Sequence, residues 1–187
     1  MRYTFRCCTA LCAALLSACA GMAPPQAPPG AASFELAGRI VVRYQERGFS
    51  SALRWKQQAG SDEIWLTAPL GQTIAYLQAD ANGATLTNAD QRQYRAASIE
   101  SLTKSAFGWP FPVAGMRNWV LGQPARGAPP AGIERDDARR ITRFRQDDWQ
   151  IVFNYATDDA TRPSRLDLIG NDAEIRFAID NLTLLKP

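Results

Sequence analysis

From Phe34 onward, apolar and polar residues alternate with the period of β-strands. In FELAGRIVVRY, Leu36, Ile40, Val42 and Tyr44 share one face, and Glu35, Arg39 and Arg43 share the other. SSALRWKQQ sets Leu53 and Trp55 against Arg54 and Lys56. DEIWL and QTIAYLQA predict two more strands, the second with Ile74 and Tyr76 on its apolar side, and GATLTN and RQYRA predict weaker ones. Late in the chain WQIVFNY places Trp149, Ile151, Phe153 and Tyr155 on one side. SRLDLIG adds Leu166 and Leu168, and AEIRFAIDNLTLL adds Ile175, Phe177 and Ile179. Repeated alternation between short polar turns predicts antiparallel sheet with one buried and one solvated face. A one-residue register error exchanges the two faces.

One turn breaks the expected chemistry. Between DEIWL and QTIAYLQA stands TAPLG, residues 67–71. Pro69 presets φ for a turn and Gly71 takes angles that other residues avoid, but Leu70 brings no turn chemistry. On the pattern alone its side chain is expected to fold back onto the strands.

Two helices interrupt the sheet pattern. SIESLTKSAFG spaces Ile99, Leu102 and Ala106 as an amphipathic helix opened by Ser98 and closed by Gly108. WPFPVAGMRNWVLGQP predicts a second helix from about Pro112, with Val113, Met116, Trp119 and Val120 on one stripe and Gly122 and Pro124 ending it. PARGAPPAG then returns the chain to strands. The expected class is α+β, with helices laid on one face of a curved antiparallel sheet.

The N-terminus changes the compartment. MRYTFR is a short positive segment and CCTALCAALLSA a short apolar run, a secretory signal peptide rather than a membrane span. It ends in LSAC, residues 16–19, which resembles the lipobox of bacterial lipoproteins. That resemblance implies cleavage before Cys19, a thioether-linked diacylglycerol on its sulfur and an acyl group on its new amine. Cys12 follows TAL, which lacks the small residue needed just before it. Ala20, where inner-membrane lipoproteins of enterobacteria usually carry aspartate, implies the outer membrane. The chain divides into a leader (1–18), a tether rich in proline and alanine (19–33) and one domain (34–187). AGMAPPQAPPGAAS is too poor in large apolar side chains to fold, and its prolines favour an extended form.

Composition then removes most chemistry. The 187 residues contain no histidine and four cysteines, three of which leave with the leader. Histidine-based acid–base catalysis, zinc hydrolysis, catalytic thiols and disulfides in the mature domain are therefore excluded. Ser101 to Lys104, SLTK, matches the S-x-x-K pattern of penicillin-recognising enzymes without its companion motifs S-D-N and K-T-G. The pairs Asp136–Asp137, Asp147–Asp148 and Asp158–Asp159 read as turn residues rather than metal ligands. Removing Arg2 and Arg6 from the 21 basic residues leaves 19 against 18 acidic ones, which gives no electrostatic reason to expect nucleic acid. No enzyme activity and no cofactor is expected. Trp55, Trp65, Trp109, Trp119, Trp149, Phe153 and Phe177 either fill a core or line a cavity for an apolar ligand.

The runs GRIVVRY, SSALRWKQ and DEIWLTAPLGQTIAYL, then WPFPVAGMRNWVLGQP and AEIRFAIDNLTLL, resemble the outer-membrane lipoprotein receptor family LolB in order and spacing. The most specific parts are T-x-P-L-G and P-x-P-x-x-x-x-R-x-W-x-x-G. The resemblance covers nearly all of residues 34–187. It implies an incomplete antiparallel β-barrel with helices over an apolar cavity, and a monomer that takes acylated lipoproteins from a LolA-like periplasmic carrier. Cargo then enters outer-membrane lipid without nucleotide. On this reading Leu53, Trp55, Ile74, Tyr76, Ile151, Phe153 and Phe177 line the sheet side of the cavity, and Met116, Trp119 and Val120 the helix side. Pro69, Leu70 and Gly71 form a loop whose leucine touches the membrane. Better-known members carry an extra helix before the first strand, whereas here the tether runs almost directly into FELAGRI. The competing reading is a structural or assembly lipoprotein of the envelope with a filled core and no lipid ligand.

Overall fold

A computed structural model describes residues 32–158, 160–170 and 172–186. The leader, Cys19 and all but the end of the tether lie outside the described residues. Eleven strands and two helices follow in chain order: β1 (Phe34–Tyr44), β2 (Arg47–Gln58), β3 (Ser61–Thr67), β4 (Thr73–Asp80), β5 (Gly83–Asn88), β6 (Gln93–Ala96), α1 (Ile99–Phe107), α2 (Val113–Trp119), β7 (Ala131–Arg135), β8 (Ile141–Gln146), β9 (Trp149–Asn154), β10 (Arg165–Gly170) and β11 (Ala173–Leu184).

All the strands join one antiparallel sheet in the order β6-β5-β4-β3-β2-β1-β11-β10-β9-β8-β7. It consists of two meanders, β1–β6 and β7–β11, joined at the centre where β1 pairs with β11 from Phe34↔Leu184 to Tyr44↔Ala173. Both helices lie in the connection between the edge strands β6 and β7, which do not pair with each other, so the sheet does not close.

Most strand phases follow the alternation. Phe34, Leu36, Ile40 and Val42 of β1 are buried, as are Leu53 and Trp55 of β2. The same holds for Trp149, Ile151 and Phe153 of β9, Leu166 and Leu168 of β10, and Ile175 and Phe177 of β11. β4 corrects the expectation. Ala75 and Leu77 face the core, while Ile74 and Tyr76 are half-buried on the opposite face. Ala75 and Leu77 take this phase by pairing with Leu66 and Ile64 of β3, and a register irregularity at Leu66/Thr67 beside the turn leaves Ile74 out of the pairing. Side-chain size misleads here, because the larger residues of β4 are on the outer side. Tyr76 stacks on Trp65 with ring centroids 5.0 Å apart and donates its O–H to Glu63 Oε2 at 3.1 Å. Partial burial, then the Glu63 carboxylate, push this phenol above its ordinary range.

The helices form where their boundary residues predict. Ser98 Oγ accepts the N–H of Ser101 at 3.2 Å, and Gly108 ends α1 in the left-handed region with φ 89°. The Ser101 hydroxyl also meets that of Ser98 at 3.3 Å, so the SLTK serine belongs to a helix cap. Thr103 Oγ1 donates to Ile99 O and accepts the N–H of Phe111 at 2.8 Å, tying the interhelix segment to α1. Glu100 Oε1 accepts the N–H of Ala114 and places a negative charge at the first turn of α2.

Two buried polar clusters fix α2 over the sheet. Asp62 of β3, fully buried, accepts Trp55 Nε1–H at 3.0 Å and pairs with the guanidinium of Arg117. Gln146 of β8 accepts from Trp119 Nε1 at 3.0 Å and Ala125 N at 2.8 Å, and donates to the carbonyls of Ala125 and Ala128. All its hydrogen-bonding capacity is used, which is the condition for burying an amide without loss. Gly115 lets the Trp119 indole lie on the helix, since a Cβ there would come within 2.5 Å of the ring. Gly115→Ala is expected to cost about 1–3 kcal/mol through overpacking, measurable by urea unfolding. An unchanged midpoint would mean that the indole shifts freely.

An apolar cavity beside an exposed leucine turn

The two halves of the sheet are filled differently. On the α2 side, Phe144, Ile151, Phe153 and Phe177 of the sheet, with Trp119 and Val120, are buried in the core and none lines the cavity described next. Between β1–β4 and α1 a cavity of about 270 Å³ remains, just under the range of roughly 300–1,000 Å³ usual for small-molecule sites. Ile40 and Val42 of β1, Leu53 of β2, Ile64 of β3 and Leu77 of β4 form its sheet wall. Thr103, Ala106 and Phe107 of α1, with Trp109 and Phe111 just beyond it, form the other wall. The Thr103 hydroxyl is already committed to the backbone, so the interior offers a ligand almost purely apolar surface. Phe49 and Phe107 on the lining are 39% and 44% exposed, which puts apolar surface at the mouth. Arg47 is the one charged side chain on the lining.

Of the ten residues assigned to the two cavity walls by the family resemblance, Leu53 alone lines it. Trp55, Met116, Trp119, Val120, Ile151, Phe153 and Phe177 all point inward but are packed in the core, and Ile74 and Tyr76 lie on the opposite face. Alternation reports which face a residue is on. It does not report which part of that face is left uncovered, and this depends on where the two helices rest. Trp109, one of the aromatics open to either a core or a cavity role, is on the lining, and so are Phe49, Ile64, Leu66, Leu77, Phe107 and Phe111, which the sequence pattern does not single out. For Ile64 and Leu66 the usable signal was the phase of DEIWL, hidden by an inward Asp62 and an outward Trp65.

The TAPLG turn lies at the same end of the sheet as the β1–β2 hairpin, which contributes Tyr44 and Arg47 to the lining. Gly71 N–H bonds to Ala68 O, and Ala68 N–H to Gln72 O, both at 2.8 Å. Gly71 takes φ 83°, so a residue with a side chain there is strained. The backbone closes the turn without help from Leu70, whose side chain does not fold back: it is 91% exposed. Among the described residues no group of His, Cys, Asp and Glu side chains could hold a metal ion. No described helix is long and apolar enough to cross a membrane.

The family model described as outer membrane lipoprotein LolB matches residues 32–181. The outer-membrane lipoprotein LolB of Cupriavidus necator is 35% identical over 181 residues, covering 90% of this chain and 91% of that protein. The LolB of Nitrosomonas europaea is 36% identical over 153 residues, covering 79% and 71%. Among solved structures, a LolA superfamily protein from Nitrosomonas europaea aligns with a TM-score of 0.48 at 11% identity, over 87% of this chain and 88% of that one. With the family model spanning almost the whole described domain, the chain belongs to the LolB family of outer-membrane lipoproteins.

Proposed function

We propose that this protein, anchored by acyl groups on Cys19, receives lipoproteins from a LolA-like carrier and passes them into the outer membrane. The cavity between β1–β4 and α1 takes the acyl chains, and the Leu70 turn meets the bilayer. The observation that carries this reading is one end of the sheet, where an apolar cavity with aromatic lips lies beside an almost fully exposed leucine. Three acyl chains in water would cost on the order of 30 kcal/mol or more, at about 0.8 kcal/mol per methylene, so each step needs an apolar acceptor. Transfer without nucleotide requires only that this cavity bind more tightly than the carrier and the bilayer more tightly still. A volume of about 270 Å³ admits part of this load. Taking up a whole acyl chain therefore requires the sheet to open further on the α1 side.

Protein mixed with a carrier loaded with acylated lipoprotein is expected to take over the cargo. A displaceable acyl dye should bind the parent chain, and Leu53→Phe, which fills the cavity wall, should weaken that binding by roughly tenfold, about 1.4 kcal/mol. A structural lipoprotein with a filled core would neither bind the dye nor accept cargo, and that result would overturn the proposal.

A further inference from the structure

We propose that the outward face of β2–β4 below the Leu70 turn is a second bilayer contact, an aromatic and cationic belt that seats at phospholipid headgroups. The proposal rests on the reading of Leu70 as a membrane-touching residue. Trp65 of β3 is register-paired with Tyr76 of β4, and their rings stack at 5.0 Å with an interplanar angle of 22°. On the other side Arg54 of β2 is paired with Trp65, and its guanidinium lies over the indole at 5.4 Å. The Arg54 side chain is 64% exposed, and its carboxylate neighbour Glu35 stands at the 4.0 Å limit of an ion pair, so the cation remains available to an outside anion. Ile74, half-buried, continues the patch toward the turn.

The order of these groups along the strands carries the inference. Leu70 is at the tip. Trp65 lies two residues below the end of its strand, about 10 Å from the tip at a rise of roughly 3.3 Å per residue plus the height of the turn. Glu63, which accepts the Tyr76 O–H, comes next on the side away from the tip. An aliphatic tip, then an indole and a phenol with a guanidinium, then a carboxylate is the sequence of preferences met on leaving hydrocarbon through the headgroups into water. Guanidinium groups bind phosphate oxygens through charge-assisted hydrogen bonds, so a phospholipid surface supplies Arg54 with a closer anion than Glu35 at 4.0 Å. A cross-strand aromatic pair alone would also stack. It would not require an exposed cation beside it, nor an exposed leucine one headgroup depth away. Contact on this outer face would also fix the tilt of the sheet, and with it the distance between the cavity mouth and the membrane.

The test uses the full-length acylated protein in vesicles of phosphatidylethanolamine and phosphatidylglycerol. All four cysteines lie at or before residue 19, so with the leader removed and Cys19 acylated, an introduced cysteine is the single free thiol. Leu70→Cys, Ile74→Cys and Gln58→Cys are labelled with an environment-sensitive fluorophore, Gln58 being an exposed position at the far end of β2. Nitroxide lipids then quench from headgroup depth or from mid-chain. We expect residue 70 to be quenched by the mid-chain nitroxide and residue 74 by the headgroup nitroxide, with residue 58 unaffected. If residue 74 is no more quenched than residue 58 while residue 70 is quenched, the belt is refuted and the membrane role of the turn stands. If residues 70 and 74 are both silent, the belt and the reading it rests on fall together.

Discussion

Leu70→Glu is expected to unfold at the same urea concentration as the parent chain, yet to deliver acylated cargo to vesicles roughly 10–100-fold more slowly. The first half follows from exposure. With 91% of its surface in water, and a turn closed by the backbone of Ala68, Gly71 and Gln72, Leu70 contributes almost nothing to the core. Substitutions at such positions usually change stability by no more than about 0.5 kcal/mol. The second half follows from transfer energetics. Burying a leucine side chain is favourable by about 1.5–3 kcal/mol, and each 1.4 kcal/mol is a factor of about ten. A glutamate loses that term and adds a charge that hydrocarbon rejects. Uptake of cargo from the carrier should be unchanged, because the cavity is lined by other residues, and Leu70→Phe should deliver normally. If Leu70→Glu delivers as fast as the parent chain, Leu70 has no role at the membrane.

Arg117→Ala should have the largest effect on stability, a loss of about 3–5 kcal/mol, the usual cost of removing one partner from a buried ion pair. Asp62 has no exposed surface, and its oxygens are satisfied by Trp55 Nε1 at 3.0 Å and by the Arg117 guanidinium, with Nε at 3.1 Å. Without the arginine, a carboxylate is left in the core with one indole donor. For a domain of this size the loss corresponds to a fall in melting temperature of roughly 6–20 °C, at about 2–4 °C per kcal/mol. The double variant Arg117→Ala/Asp62→Asn should recover part of it, since a neutral amide is far less costly to bury and still accepts the indole N–H. Equal stability of Arg117→Ala and the parent, measured by urea unfolding, would mean that water reaches Asp62 and that the pair does not hold α2 to β3.

Where the code is local, the fold was legible. Strand phases in β1, β2, β9, β10 and β11 follow from alternation alone, and α1 begins and ends at the residues whose side chains and backbone suit those places. β8 was harder: its inward positions Ile141, Phe144 and Gln146 do not alternate strictly, and one of them is an amide. That amide is buried because loop 125–128 supplies partners for it, and no periodicity can encode that. Asp62 is a similar case. A carboxylate in DEIWL reads as solvent-facing until Arg117, 55 residues later, is placed against it.

The sequence by itself determined an antiparallel sheet interrupted by two helices, the absence of histidine, and membership of the LolB family through T-x-P-L-G and the proline–tryptophan helix. Only the tertiary structure decided that β1 and β11 meet at the centre, that Ile74 and Tyr76 face outward, and that the cavity lies under α1 rather than α2. It also decided that Leu70 projects instead of folding back. The reason is one of range. Periodicity and turn chemistry act over a few residues, whereas pairing partners, helix placement and the space left unfilled depend on side chains far apart in the chain.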